Sequence, residues 1–206
     1  TAASFARKYL LADHYKVNFM GAVSWSFEFE DQPWFYGFRD LATNGVDKPV
    51  LNVFRMYGMM KGNRVEAVSN RQYELFAVRD SGIRKEQTDV GVIAAAEKKS
   101  ATVMIWNYHD LDVPGKVETV ALTIKGVSGK NVTYHEYRID AENSNSYEVW
   151  KKMGSPQQPS AEQIATLEKA GQLKKVKTGK TTVNGGAINL ESSVPRQGIV
   201  FYKFIW

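Results

Sequence analysis

The sequence predicts a mixed α/β segment over residues 1–61, followed by an all-β domain over residues 62–206. Three observations carry this prediction. Residues 1–61 show two helical patterns, and a dense run of apolar and aromatic residues lies between them. After Gly62, short β-rich runs alternate with turn residues. One helical stretch, over residues 145–172, interrupts those runs.

The first helix is predicted over residues 3–17. Its apolar stripe at helical spacing consists of Ala3, Ala6, Leu10, His14 and Val17. The next stretch, from Val17 to Phe29, is dense enough in apolar and aromatic residues for a strand that is covered on both faces. Asp31-Gln32-Pro33 ends this predicted strand, and a long aromatic loop leads on to Asn44-Gly45.

The second helix is predicted to open at Lys48-Pro49, since proline is favoured in the first turn of a helix. Its packing stripe consists of Val50, Val53, Phe54, Tyr57 and Met60. A helix-strand-helix unit has strand edges and apolar helix faces that need partners. We therefore interpret residues 1–61 as the C-terminal segment of a larger (β/α)8 barrel, buried against a missing N-terminal barrel portion or a symmetry-related copy.

The second part of the chain is predicted to be a β-sandwich with a short helical insertion. The run VETVALTIKGV alternates between apolar and polar residues, and TVMIWNY has the mixed pattern of a core strand. Ser160 and Gln163 resemble a capping box, and Gly171 a helix stop. The predicted strands are Arg64–Ser69, Val90–Ala95, Ala101–His109, Val117–Val127, Asn131–Ile139, Lys174–Val183, Ala187–Leu190 and Gly198–Trp206.

Composition argues against several classes of function. The chain has no cysteine, and its three histidines are far apart in sequence, so we expect no metal site. The run KKVKTGK contributes to a net charge of +5, but no nucleic-acid-binding motif accompanies it, and a solvated strand face explains it better. No apolar run approaches the roughly 18 residues of a membrane span. We expect no cofactor, no nucleic acid and no membrane among its partners.

The candidate functional residues lie in the aromatic stretch from Gly21 to Met59. Glu28, Glu30 and Asp31 stand among aromatic residues there. Pyranose rings stack on aromatic faces while their hydroxyl groups donate to carboxylate oxygens, so this combination indicates a sugar site. A salt bridge from the glutamates to a residue such as Arg39 is the alternative that remains open.

The stretch SWSFEFEDQPWFYGFRDLATNGVDKPVLNVFRM resembles the end of the barrel in glycoside hydrolase family 39, in its bacterial β-xylosidase branch. The matching features are Trp25, Phe29-Glu30-Asp31, Gly37-Phe38, Gly45 and Lys48-Pro49. Later stretches resemble the sandwich domain of that branch, namely WNYHDLDVPG, YRIDAENSNSYEVWKKMGSP and EQIATLEKAGQL.

This resemblance implies a retaining β-xylosidase that degrades xylan fragments, releasing xylose from β-1,4-xylo-oligosaccharides through two glutamates. In the family, these glutamates lie in an Asn-Glu-Pro and a Thr-Glu motif, and neither motif occurs here. We therefore expect no catalytic residue in this chain, and the chain alone to be inactive.

What the resemblance assigns to this chain is one wall of the sugar subsite. It implies that Glu30 and Asp31 accept hydrogen bonds from the sugar and that Trp25 forms the floor, after a cis bond from Ser24. Since the strand-to-loop segment is about two residues shorter than is usual in the family, Glu28 also stays a candidate. The predicted substrate-binding residues are Trp25, Glu28, Glu30, Asp31, Phe35 and Phe38.

Two alternatives remain open at the level of the sequence. The chain could be a non-catalytic carbohydrate-binding or structural sandwich module, which a cleft of exposed aromatic residues on the sandwich would favour. It could also belong to a family 39 enzyme for another sugar, such as an α-L-iduronide. For Tyr147 and Trp150, we favour a packing stripe against the sandwich over a carbohydrate platform.

Overall fold

The computed structural model describes residues 1–23, 31–37, 40–84 and 86–206. The described helices are α1 (Ala2–Tyr15), α2 (Pro49–Met59), α3 (Leu75–Ser81), α4 (Ser146–Lys152) and α5 (Ala161–Gly171). The described strands are β1 (Ala42–Thr43), β2 (Val46–Asp47), β3 (Asn63–Val65), β4 (Asp89–Glu97), β5 (Ser100–Tyr108), β6 (Glu118–Lys125), β7 (Asn131–Ile139), β8 (Lys175–Thr182), β9 (Ala187–Val194) and β10 (Ile199–Ile205).

The larger sheet has six strands in the order β3-β4-β5-β10-β7-β8, and all its described pairings are antiparallel. A second antiparallel sheet pairs β6 with β9, and β1 with β2 form a small hairpin. The architecture is thus mixed α/β with mostly antiparallel sheets.

Both faces of the six-stranded sheet are buried, because neighbouring side chains of a strand point to opposite faces. Val103 and Ile105 join one core together with Leu122 and Ile188 of the smaller sheet. Met104 and Trp106 join the other core, which α1 and α2 cover with Ala3, Ala6, Val53 and Met56. Burial on both sides explains why TVMIWNY lacks a clean alternation.

The strand and insertion predictions agree closely with the structure. Each predicted β-rich run overlaps one described strand, although only the first two residues of the run Arg64–Ser69 are in β3, and the helical stretch 145–172 contains α4 and α5. Ser160 and Gln163 form the predicted capping box at the start of α5. The lysine run lies on β8, the last strand of its sheet, where Lys175, Lys177 and Lys180 are exposed. Charged side chains at a sheet edge discourage pairing with other chains.

Two predictions for residues 1–23 differ from the structure. Val17 to Val23, the described part of the predicted strand, is in neither helix nor strand, and Met20 is 86% exposed. A strand needs a neighbour to accept its backbone hydrogen bonds, and no described strand pairs with this stretch. The stripe of α1 is buried only at Ala3 and Ala6, which join the core with Val53 and Met56, whereas Leu10, His14 and Val17 are exposed. Helix α3 was not predicted.

Candidate functional site

The structure describes two of the six predicted substrate-binding residues, Asp31 and Phe35. The others, Trp25, Glu28, Glu30 and Phe38, lie outside the described residues, as do Arg39 and the predicted cis bond between Ser24 and Trp25. The described part of the candidate site is therefore the segment 31–37, which we call the aromatic loop.

The aromatic loop contains two non-glycine residues with left-handed backbone conformation. Asp31 has φ 57° and Phe35 has φ 58°. Aspartate tolerates this region because its short polar side chain can bond locally, whereas a bulky phenylalanine there is an outlier that costs of order 1–3 kcal/mol. Asp31 is exposed and Phe35 is half-buried. Contacts elsewhere must hold Phe35 in this conformation.

Those contacts come from the helical insertion between β7 and β8. The Phe35 ring lies 5.0 Å from the ring of Trp150 and 5.5 Å from that of Tyr147, centroid to centroid. Tyr147 and Trp150 stack on each other at 5.8 Å with an interplanar angle of 26°. Trp150 is buried, but it packs against the aromatic loop and Val46 of β2 and not against the larger sheets, while Tyr147 stays 40% exposed.

The backbone of the aromatic loop is held on two sides. The Trp34 N–H donates to Gln157 Oε1 of the insertion at 2.9 Å. The Phe35 N–H donates to Thr43 Oγ1 of β1, also at 2.9 Å. Because Gln157 lies 123 residues after Trp34, the loop position depends in part on a residue distant in sequence.

The hairpin that carries Thr43 is built on a two-residue turn. Asn44 and Gly45 have φ 46° and 83°, the left-handed pair that a type I′ turn requires, and Thr43 pairs with Val46 across it. Val46 is fully buried, in the same cluster as Trp150 and Leu167. The hairpin therefore packs against the insertion, as the loop does.

Helix α2 is joined to the same insertion by Asn52, which is fully buried. Its Nδ2 donates to the carbonyl oxygens of Ser144 at 3.1 Å and Gly171 at 2.7 Å. A buried amide that satisfies two carbonyls is costly to replace, because both acceptors would lose their partner. The interface between residues 31–59 and the insertion is thus polar as well as aromatic.

The electrostatics of the insertion are those of a solvated helix surface. Glu148, which accepts a hydrogen bond from Lys151, raises the pKa of that ammonium group above its ordinary value. The Lys151 ammonium also lies 4.9 Å from the centre of the Tyr147 ring. Among the described residues, no cluster of three His, Asp or Glu side chains could hold a metal ion.

Chemically, the described loop offers an open carboxylate at Asp31 and a ring at Tyr36 that is 69% exposed. A carboxylate accepts hydrogen bonds from hydroxyl groups, and an exposed ring offers a stacking face. The Phe35 ring is already engaged by Trp150, which is the geometry of a residue that fixes the loop. Its predicted contact with substrate stays a prediction.

A depression of about 610 Å³ lies elsewhere, lined in part by Arg71, Arg84 and Arg196. Arg71 is paired with Glu118 through two hydrogen bonds, and Arg84 with Asp110. None of the predicted site residues lines this depression. We do not assign it to the candidate site.

The sequence does not indicate which residues bond to the backbone of the aromatic loop, namely Thr43, Gln157 and Lys48, whose Nζ donates to the Tyr36 and Gly37 carbonyls. One local signal was available. Asn-Gly between two short runs is the strongest short-range indication of a hairpin, and it would have predicted the pairing of Thr43 with Val46. No local signal pairs Gln157 with Trp34, because only the fold brings them together.

Among the described residues, no helix is both long and apolar enough to cross a lipid bilayer.

Comparison with known proteins connects these features to one family. The family model for glycosyl hydrolases family 39 matches residues 6–189. A curated β-xylosidase of Caldicellulosiruptor saccharolyticus is 29% identical over 168 residues, which are 82% of this chain and 31% of that protein. The chain thus spans about a third of the length of the curated relative that it matches.

Two solved structures share the fold. A GH39 enzyme from Xanthomonas axonopodis pv. citri superposes with a TM-score of 0.70 at 14% identity, covering 97% of this chain and 40% of that chain. A bacterial orthologue of human α-L-iduronidase gives a TM-score of 0.58 at 16% identity, covering 78% of this chain and 27% of that chain. With the family model matching most of its residues, the chain belongs to the glycosyl hydrolases of family 39.

Proposed function

We propose that this chain is the C-terminal portion of a retaining β-xylosidase that hydrolyses β-1,4-xylo-oligosaccharides to xylose. The observation that carries the proposal is membership of family 39, together with 29% identity to a protein named β-xylosidase over 82% of this chain. In this proposal the chain contributes one wall of the sugar subsite and the accessory β-sandwich, with a boundary at residue 62.

The wall consists of Glu30 and Asp31, with Trp25 as its floor and Glu28 as a further candidate. As the sugar ring flattens toward an oxocarbenium ion, hydrogen bonds from its hydroxyl groups to these carboxylates strengthen, which lowers the barrier. The strained Phe35, four residues after Asp31, supports a functional loop, because such strain clusters at ligand sites. The nucleophile and the acid/base belong to another part of the enzyme, so the chain alone is inactive.

The partner in this proposal is the remainder of the catalytic barrel, or a second copy that supplies an equivalent surface. The described residues of the first segment leave large apolar side chains open to solvent. These are Leu10, Leu11, Tyr15, Val17, Met20 and Val23. Leu11, Tyr15 and Val17 line one shared depression, and an exposed apolar surface is typical of an interface.

The test compares this chain with the full-length polypeptide that contains it. We expect the full-length protein to release 4-nitrophenol from 4-nitrophenyl β-D-xyloside, and this chain alone to release none. Proton NMR of the first product should show the β-anomer, as retention requires. A full-length protein that leaves both aryl xylosides and xylo-oligosaccharides intact would overturn the proposal.

Substitutions in the wall sharpen the test. In the full-length protein, Glu30→Gln and Asp31→Asn should each lower kcat/KM by about 10²-fold, the order of loss for one transition-state hydrogen bond. Asp112→Asn is the matched control, since Asp112 is also an exposed carboxylate but lies between β5 and β6. If Asp31→Asn and Asp112→Asn lower kcat/KM equally, Asp31 does not belong to the sugar site.

A second candidate is an enzyme for an α-L-iduronide, favoured by the fold that the chain shares with the bacterial α-L-iduronidase orthologue. Release of methylumbelliferone from its α-L-iduronide, with no activity on xylosides, would select it. A non-catalytic sandwich module has less support, because every aromatic side chain on the described strands is buried or half-buried.

A further inference from the structure

Lys48 occupies an unusual position for a lysine at the start of a helix. The hairpin turn at Asn44-Gly45 reverses the chain, so that the Lys48 N–H donates to the Leu41 carbonyl at 2.9 Å. This reversal directs the Lys48 side chain to the end of the aromatic loop. Most lysines reach into solvent, but this side chain is only 9% exposed.

The ammonium group of Lys48 bonds to the loop backbone. Nζ donates to the carbonyl oxygens of Tyr36 at 2.9 Å and Gly37 at 3.2 Å. It also lies 3.8 Å from Asp40 Oδ2, and the Asp40 side chain is 8% exposed. A buried ammonium group is tolerated only when it is paired and hydrogen-bonded, so these partners must stay in place for Lys48 to stay buried.

The backbone at Gly37 is adapted to this arrangement. Gly37 has φ 84°, and a Cβ at this position would come within 2.1 Å of Asp40 Oδ2. A side chain there would therefore push the carboxylate away from Lys48. The Gly37 backbone, the Asp40 carboxylate and the Lys48 ammonium group therefore form one compact unit. In sequence, this unit follows the residues of the predicted sugar wall.

We propose that Lys48 is a positioning residue for the sugar site: its buried ammonium group holds the aromatic loop in place and does not contact the sugar. This inference rests on the proposed function for its catalytic consequence. It assigns Lys48 a role beyond opening α2. Without the ammonium group the Tyr36 and Gly37 carbonyls lose a shared donor, and the loop that carries Asp31 becomes free to move.

The first experiment needs no enzymatic activity. Amide hydrogen exchange is measured on this chain, unaltered and as Lys48→Met, which keeps the length of the side chain but removes its charge. We expect at least tenfold faster exchange of the Trp34 and Phe35 amides, which are held by Gln157 and Thr43, with unchanged exchange in β5. Lys61→Met, at an exposed lysine just after α2, should change neither region.

Two exchange results would overturn the proposal. If Lys48→Met leaves the loop amides unchanged, the ammonium group does not hold the loop. If it accelerates the loop and β5 amides equally, Lys48 supports the whole fold rather than the position of the loop. Lys48→Arg keeps the charge, so the Trp34 and Phe35 amides should exchange more slowly in this variant than in Lys48→Met. Equally fast exchange in the two variants would also contradict the proposal.

The second experiment measures hydrolysis of 4-nitrophenyl β-D-xyloside by the full-length protein. Lys48→Met should lower kcat at least tenfold, because the wall contacts strengthen in the transition state, while KM changes less than threefold. If Lys48→Met accelerates exchange of the loop amides but leaves kcat unchanged, Lys48 has no role in positioning the sugar site. If the unaltered full-length protein hydrolyses no glycoside, the proposed function fails, whereas the exchange pattern still decides whether Lys48 holds the loop.

Discussion

Trp150 of the helical insertion packs its ring 5.0 Å from the ring of Phe35 in the aromatic loop, although the two residues are far apart in sequence. The indole N–H of Trp150 donates to the Pro156 carbonyl at 2.9 Å, which fixes the ring on the insertion. An element of the predicted accessory domain therefore determines where a loop of the predicted barrel segment lies. The insertion and the loop form one structural unit.

This contact should be measurable as a coupling energy. Phe35→Leu and Trp150→Leu each remove a ring, and the double variant should show a coupling of about 0.5–1.5 kcal/mol, the range for aromatic pairs. Urea denaturation of the four proteins gives this value. As control, Phe35→Leu is combined with Ile205→Ala on distant β10, where the two effects should simply add. A coupling near zero for Phe35 with Trp150 would show that the rings do not stabilise each other.

Gly91 should resist substitution because it lies beneath the Trp106 ring. A Cβ at Gly91 would come within 2.3 Å of that ring, and the Trp106 side chain is fixed by its hydrogen bond to buried Asp89 at 2.7 Å. We expect Gly91→Ala to lower the free energy of unfolding by about 1–3 kcal/mol, as overpacking does. Thermal denaturation followed by circular dichroism measures the change.

The matched control for that prediction is Gly58→Ala. Gly58 lies exposed in α2, and a Cβ there would meet no atom within 4 Å. Alanine has the higher helix propensity, so this change should stabilise the chain by about 0.5–1 kcal/mol. The two glycine substitutions should therefore shift the melting temperature in opposite directions. A shift of the same sign would contradict the packing described at Gly91.

Tyr57 should make stability depend on alkaline pH. Its hydroxyl donates to the Ala2 carbonyl at 2.8 Å, and burial, the largest cause, raises the pKa of Tyr57 well above its ordinary value. Above a pH of about 10, the unfolded chain releases this proton while the folded chain keeps it. The free energy of unfolding therefore falls as pH rises above about 10, by up to about 1.4 kcal/mol per pH unit from this group.

Urea denaturation at several pH values between about 9 and 11 checks the sign. In Tyr57→Phe the alkaline decline should be shallower, and the remainder reflects groups such as Tyr202, whose pKa burial also raises. Tyr36→Phe, at a tyrosine that is 69% exposed, should keep the decline of the unaltered chain. If the free energy of unfolding falls equally steeply with pH in Tyr57→Phe and in the unaltered chain, Tyr57 is not the source of the alkaline decline.

The candidate site was predicted only in part from the sequence. The residue types at Glu30, Asp31 and Trp25 indicate sugar chemistry, because carboxylates and aromatic faces are what a sugar binds. Phe35 was predicted as a substrate contact, but its position against Trp150 depends on a helix that lies beyond two-thirds of the chain. Such contacts leave no periodicity in the local sequence, so no local sequence pattern predicts them.

The sequence by itself determined the approximate positions of the strands after residue 62, the helical insertion and the capping box at Ser160. Each of these follows from local periodicity or from bonds within one turn of chain, which neighbouring residues specify. Only the tertiary structure decided that Val17 to Val23 pairs with no described strand, that most side chains in the second half of α1 stay exposed, and that Lys48 is buried against the end of the aromatic loop. Those outcomes depend on what packs against a segment, and a segment does not encode its own partner.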